Sequence, residues 1–157
     1  MQPEDETPLR TLFEQVRHLS LSVIADDAPV IGLLPFALTP RFDALLVHAS
    51  NLAQHARGLG SDSPYTALIH TSDTPEIDPL QLPRATVSGH STHLARASAE
   101  YKTGRSRYLT RFPGSEIIFQ LGDFHLYRLN IEKVRFVAGF GRAFNVSPAR
   151  LKDILQA

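Results

Sequence analysis

Hydrophobic positions in this chain change their period several times, and each change marks an element. Leu9, Leu12, Phe13, Val16 and Leu19 recur at three- and four-residue steps, the one-sided stripe of a helix. Thr7-Pro8 sets a cap residue before a proline suited to the first helical position, so the pattern predicts a helix over 8–19. From Ser20 the period falls to two. Leu21, Val23 and Ala25 alternate with small or polar residues, and Asp26-Asp27-Ala28-Pro29 reads as a turn into a second strand, Val30 to Leu38. Thr39 to Asp43 is another turn, and Ala44 to Ala49 a third strand. Strands joined by such short turns predict an antiparallel meander.

Ser50 or Asn51 can cap a short helix running to about Leu59, closed by Gly58 and Gly60. Tyr65 to His70 reads as a strand. Residues 71–83 carry Pro75, Pro79 and Pro83 without a period and read as a loop. Arg84 to Leu94 is a long strand with Gly89 as its expected bulge. Ala95 to Phe112 is the longest helical stretch, stopped by Pro113-Gly114, and its basic residues read as a solvated face. Gly114 to Leu121 is a short helix or turn. Phe124 to Ile131 and Lys133 to Ala138 are two further strands, and Ser147-Pro148 opens a last helix over about 148–156. The order predicts an α+β, mainly β fold: an antiparallel barrel of six to seven strands with helices at its edges, in place of a doubly wound sheet.

Composition narrows the class. With 157 residues, 43% of them hydrophobic and 20% charged, the chain reads as one folded domain over 1–157. It has no cysteine, which excludes disulfides, thiolate metal sites and cysteine nucleophiles. The acidic opening MQPEDETP and the lack of a long apolar run predict no secretory signal and no membrane span, hence a cytoplasmic protein.

Net charge is zero, yet unevenly placed. Residues 1–83 hold 4 basic and 11 acidic residues, and residues 84–157 hold 12 basic and 5 acidic. Either the halves pack together and compensate, or the second half feeds an anion site. Zero total charge argues against nucleic acid as a partner.

The chain lacks a dinucleotide glycine motif, a P-loop, HExxH and GxSxG. His90 and His93, three apart on a strand, point to opposite faces, so no metal site is expected. Ser50, Asn51, His55 and Arg57 gather hydroxyl, amide, imidazole and guanidinium groups around a strand-to-helix junction. That set suits a phosphate, although capping and solvent exposure account for the same residues. Asp123 reads as a turn residue opening a strand.

Five stretches taken in order resemble the flavin-binding split-barrel family related to pyridoxamine 5′-phosphate oxidase, and within it the haem-utilisation branch. They are LLPFAL from Leu33, HASNLAQHARGL from His48, DPLQLPRATVSG from Asp78, LGDFHLYRL from Leu121 and RFVAGFGRA from Arg135. Together they cover about residues 12–144, and the split barrel itself is expected over about 20–144. The resemblance implies a homodimer that holds FMN in clefts between subunits, with oxidoreductase activity tied to haem or iron use. It implies that Leu33, Leu34, Pro35 and Phe36 offer backbone groups to the isoalloxazine ring, with Ala49, Ser50 and Asn51 nearby. His55 and Arg57 fall at the phosphate, Arg84 at another flavin contact, and Arg142 reaches in from the partner subunit. The sequence departs from the family at Ile31-Gly32 and at His55, where lysine is common. Those departures favour a non-enzymatic FMN- or haem-binding protein, or a dimeric scaffold without cofactor. Haem is a second implied ligand. No histidine follows His125, so a haem ligand from a C-terminal segment is not expected; His90, His93 or His125 could substitute, although nothing in their spacing points to them.

Overall fold

The computed structural model describes residues 1–157 throughout. Its elements are α1 (Pro3–Glu14), β1 (His18–Ala25), β2 (Ala28–Leu38), β3 (Ala44–Ser50), β4 (Ser63–His70), β5 (Arg84–His93), α2 (Ala99–Arg111), β6 (Phe124–Asn130), β7 (Lys133–Gly139), β8 (Arg142–Val146) and α3 (Pro148–Gln156). The strands neighbour one another in the order β4-β1-β2-β3-β6-β5, and a β4–β5 pairing closes the ring. The result is the expected antiparallel barrel, here with six strands, plus two strands that continue from β5.

Strand β5 is where the barrel splits. One of its edges pairs with β4 along its length, whereas the other is shared between β7 at Arg84–Ser88 and β6 at Ser91–His93. Gly89 lies at the division. A Cβ there would stand 2.1 Å from the carbonyl oxygen of Asn130, so only glycine admits the crossing chain. The expected bulge is absent: Tyr65 faces Gly89 in an unbroken β4–β5 register.

Inward positions of the strands fill the barrel with Leu21, Phe36, Leu45, Val47, Ile69, Val87 and Leu129, all essentially inaccessible. Leu9, Leu12 and Phe13 of α1 and Leu151 and Ile154 of α3 join the same core. Each such side chain contributes about 1.5–3 kcal/mol by leaving water. A second, smaller core forms where α2 and the turns after it cover the outside of β2, β3 and β6. There Ala37, Leu46, Leu94 and Leu126 meet Tyr101, Tyr108, Phe112 and Phe119. Strand β3 is therefore buried on both faces, which explains its unbroken apolar run ALLV.

Several boundaries differ from expectation for physical reasons. The first helix spans Pro3–Glu14, and Pro8 lies inside it. The amide of Gln2 donates to Asp5 Oδ2 at 2.8 Å, closing the helix start upstream of Thr7-Pro8. Leu19 belongs to β1; its three-residue step from Val16 fits a helix only by coincidence. The first hairpin turn is Asp26-Asp27, both at positive φ, and Pro29 sits within β2. The short helix after β3 is a 3-10 turn at Gln54–Gly58, and Ser50 ends β3 instead of capping it. The long helix starts only at Ala99, where the side chain of Ser98 accepts from the amide of Tyr101. Strand β8 was not expected, because Arg142–Val146 shows little apolar alternation.

The uneven charge is resolved by packing. Arg142 pairs with Asp5, Arg150 with Glu6, and Arg128 with Asp43, each joining the basic half to the acidic half. Arg111 donates to the carbonyls of Phe13 and Val16.

Candidate functional site

Strand β2 presents two different edges. Its ladder with β1 runs the full length from His18↔Pro35 to Ala25↔Ala28, whereas its ladder with β3 covers only Phe36–Leu38. Pro35 has no N–H to extend the second ladder, so β2 and β3 part beyond it. Leu34 and Phe36 point into the barrel, while Leu33 is 71% exposed. Ala49 is buried in the main core.

The remaining residues expected at a flavin already have partners. Ser50 Oγ donates to Asp123 Oδ2 at 2.6 Å and accepts from the Leu52 amide at 3.1 Å, which locks the turn after β3. Asn51 Nδ2 lies 3.0 Å from His125 Nε2. The His55 ring rests on Gly32, where a Cβ would come within 2.3 Å of Nδ1, so the unusual glycine and the unusual histidine explain each other. Burial holds His55 below the ordinary imidazole range, so it offers a phosphate less charge than a lysine would. Arg57 pairs with Asp26 at 2.8 Å in an exposed bridge. Arg84 donates to the Leu82 carbonyl at 3.0 Å, and Arg142 is committed to buried Asp5.

A different set of residues converges on the outer face of β2, β1 and β4. Register places Leu33 beside Ser20 and Ser20 beside Leu68, with Ile31 one row along beside Ser22. Ile31 is 74% exposed, and no helix covers it. At the end of this face lies a cavity of about 600 Å³ whose walls include Val16, Arg17, His18, Leu33, Leu68 and His70. His70 Nδ1 lies 2.7 Å from the Thr71 carbonyl. The contact requires the proton on Nδ1 and leaves the Nε2 lone pair free for a ligand. Arg84 is the register partner of His70 on β5, with its guanidinium donating to the Leu82 carbonyl.

Sequence reasoning missed His18 and His70 because they lie far apart along the chain. Only the register, in which Ser20 meets Leu68, brings the two histidines to one end of one face.

Three further imidazoles stand on other elements. His48 of β3 stacks on Phe119 at a centroid distance of 4.0 Å, and its Nε2 has no hydrogen-bond partner. Burial first, then Arg96 and His125, push its pKa down to about 4. His93 and His125 meet at the end of β5 and β6, with His93 Nε2 3.1 Å from His125 Nδ1.

A closed six-stranded barrel extended by β7 and β8 defines a class of protein, and the sequence agrees: the chain belongs to the CREG beta-barrel family, whose profile matches residues 41–151. Among individual proteins, it is 27% identical over 154 residues to the haem oxygenase HutZ of Vibrio cholerae, covering 96% of this chain and 85% of that one. A haem-binding protein from Mycobacterium smegmatis shares the fold at a TM-score of 0.81 and 20% identity, over 98% of this chain. ChuZ of Campylobacter jejuni does so at 0.79 and 17% identity, over 96%. The chain spans 62% of the length of each of these two structures.

Proposed function

We propose that the protein binds haem on the outer face of β2, β1 and β4 and takes part in haem utilisation. The observation that carries this reading is the cavity in which an apolar wall meets an imidazole with a free Nε2, with Arg17 at its border. Haem is a flat apolar ring with two carboxylates on one edge and an iron that takes imidazole nitrogen. Leu33, Leu68 and Val16 offer the apolar surface, and Arg17, whose guanidinium lies 5.2 Å from the Phe112 ring centroid, borders the cavity as the cation for a propionate. His70 is the candidate iron ligand, held by Thr71, with His18 beside it. The names of relatives point the same way: HutZ is called a haem oxygenase, and the M. smegmatis protein is called haem-binding. Bound haem would supply an iron able to exchange electrons and bind oxygen. The chain's part is to orient the ring, neutralise its carboxylates and exclude water from one face. Ile31 and Leu33 stand bare on the same sheet, so a second copy packed there would complete a homodimer with the ligand in its cleft. No helix is long and apolar enough to cross a membrane.

A second reading keeps the flavin and the oxidoreductase activity. The parting of β2 from β3 at Pro35 favours it, because it frees the backbone of Leu33 for a ring edge. Against it stand His55, held below the ordinary imidazole range by burial, and the engaged Arg57 and Arg142. The test is a visible spectrum of purified protein after addition of FMN, then of haemin, followed by gel filtration. Haem co-eluting with the protein, and lost in His70→Ala, supports the first reading. Flavin retained instead, and released by His55→Ala with Arg57→Ala, supports the second. No retained chromophore overturns both and leaves a cofactor-free dimeric scaffold.

A further inference from the structure

Strands β5 and β6 bring two imidazoles together at the end of β5 away from Arg84 and its register partner His70. Leu129 and Tyr127 are inward-facing residues of β6, and His125 is the next position on that side. His93 is the register partner of Tyr127, so His93 and His125 are diagonal neighbours on one face. Their facing nitrogens, His93 Nε2 and His125 Nδ1, lie 3.1 Å apart, and the rings are tilted at 59°. Two nitrogens bound to one tetrahedral Zn²⁺ at about 2.0–2.1 Å sit roughly 3.3 Å from each other. The pair already has that spacing to within about 0.3 Å.

The second ring nitrogen of His125 is also held. Asn51 Nδ2 lies 3.0 Å from His125 Nε2. Without a metal, the Asn51 amide N–H donates to Nε2, and His125 Nδ1–H donates to His93 Nε2. A metal takes the place of that shared proton. It requires His125 to carry its proton on Nε2, and the Asn51 amide, turned over, offers its oxygen to accept it. Asparagine serves both tautomers, which an alanine or leucine could not.

We infer that His93 and His125 form a two-imidazole site for a first-row divalent transition ion of the Zn²⁺, Co²⁺ or Ni²⁺ type, with Asn51 as the positioning residue. No carboxylate joins the pair, so the site discriminates against Mg²⁺ and Ca²⁺. His93 is exposed, and the coordination positions beyond the two nitrogens stay open to water or to a small ligand. The inference is independent of haem binding and is tested with the metal alone.

The experiment is equilibrium dialysis of the haem-free protein against Zn²⁺, paired with NMR of the histidine ring protons. One Zn²⁺ per chain is expected, with affinity lowered at least tenfold in His93→Ala and in His125→Ala. Asn51→Leu should lower affinity by about tenfold and Asn51→Asp should preserve it, a difference that a merely structural role would not produce. His90→Ala and His70→Ala should bind as the parent does. In the NMR spectrum of unaltered protein, Zn²⁺ should shift the rings of His93 and His125 alone. No Zn²⁺ bound at submillimolar concentration would overturn the inference. So would binding that survives loss of both histidines, or shifts centred on His18 and His70.

Discussion

The outside of the barrel carries two apolar surfaces of opposite fate. On β2, β3 and β6 the outward side chains Ala37, Leu46 and Leu126 are 1% exposed or less, because α2 and Phe119 lie over them. On β2, β1 and β4 the outward Ile31 and Leu33 are more than 70% exposed, and nothing in the chain lies over them. Strand β2 belongs to both surfaces, and the change comes at Pro35. Apolar residues on the first surface serve stability; those on the second cost solubility without aiding the fold, which marks them for a ligand or a partner.

Substitutions can break that contrast, beginning with the largest effect. Leu46→Asp buries an unpaired carboxylate under α2 and should abolish folding, read as loss of a cooperative thermal transition. Leu33→Asp, the same chemical change on the bare surface, should alter stability by no more than about 0.5 kcal/mol. A comparable loss in both would erase the distinction. Phe119→Ala should cost about 3 kcal/mol in chemical denaturation, because it empties the space between His48, Tyr101 and Tyr108.

His48 sharpens the comparison through pH. The unfolded chain takes up a proton on this residue below about pH 6.5, the folded chain only near pH 4. Falling pH therefore favours unfolding across that window, with a slope of at most about 1.4 kcal/mol per pH unit from this group. His48→Phe should flatten the stability profile between pH 6.5 and 4. An unchanged profile would mean that another group dominates. The smallest effect belongs to Arg57→Ala, which removes an exposed bridge to Asp26 and should change stability by less than about 1 kcal/mol.

Much of the fold was legible because its signals were local. The period-two runs of β1 to β3, the Ser147 cap before Pro148 and the proline stop after Phe112 all act within a few residues. The first helix was misplaced because Thr7-Pro8 imitates a start that Gln2 and Asp5 make upstream. Strand β8 escaped because it pairs with β7 at an edge and alternates little. The candidate site was less legible for a different reason. His18 with His70, and His93 with His125, are neighbours only through strand register, which depends on the whole barrel. Gly32 and His55 show the limit plainly: each looks like a separate departure from the family, yet one contact joins them.

The most direct test of the account is a haemin titration followed by the Soret band, comparing unaltered protein with His70→Ala and Leu33→Asp. A saturable band is expected, which His70→Ala shifts or abolishes and Leu33→Asp weakens at least tenfold, with both variants as stable as the parent. An unchanged Soret band and affinity in His70→Ala and Leu33→Asp would contradict it and remove the bare face of β2, β1 and β4 as the haem site.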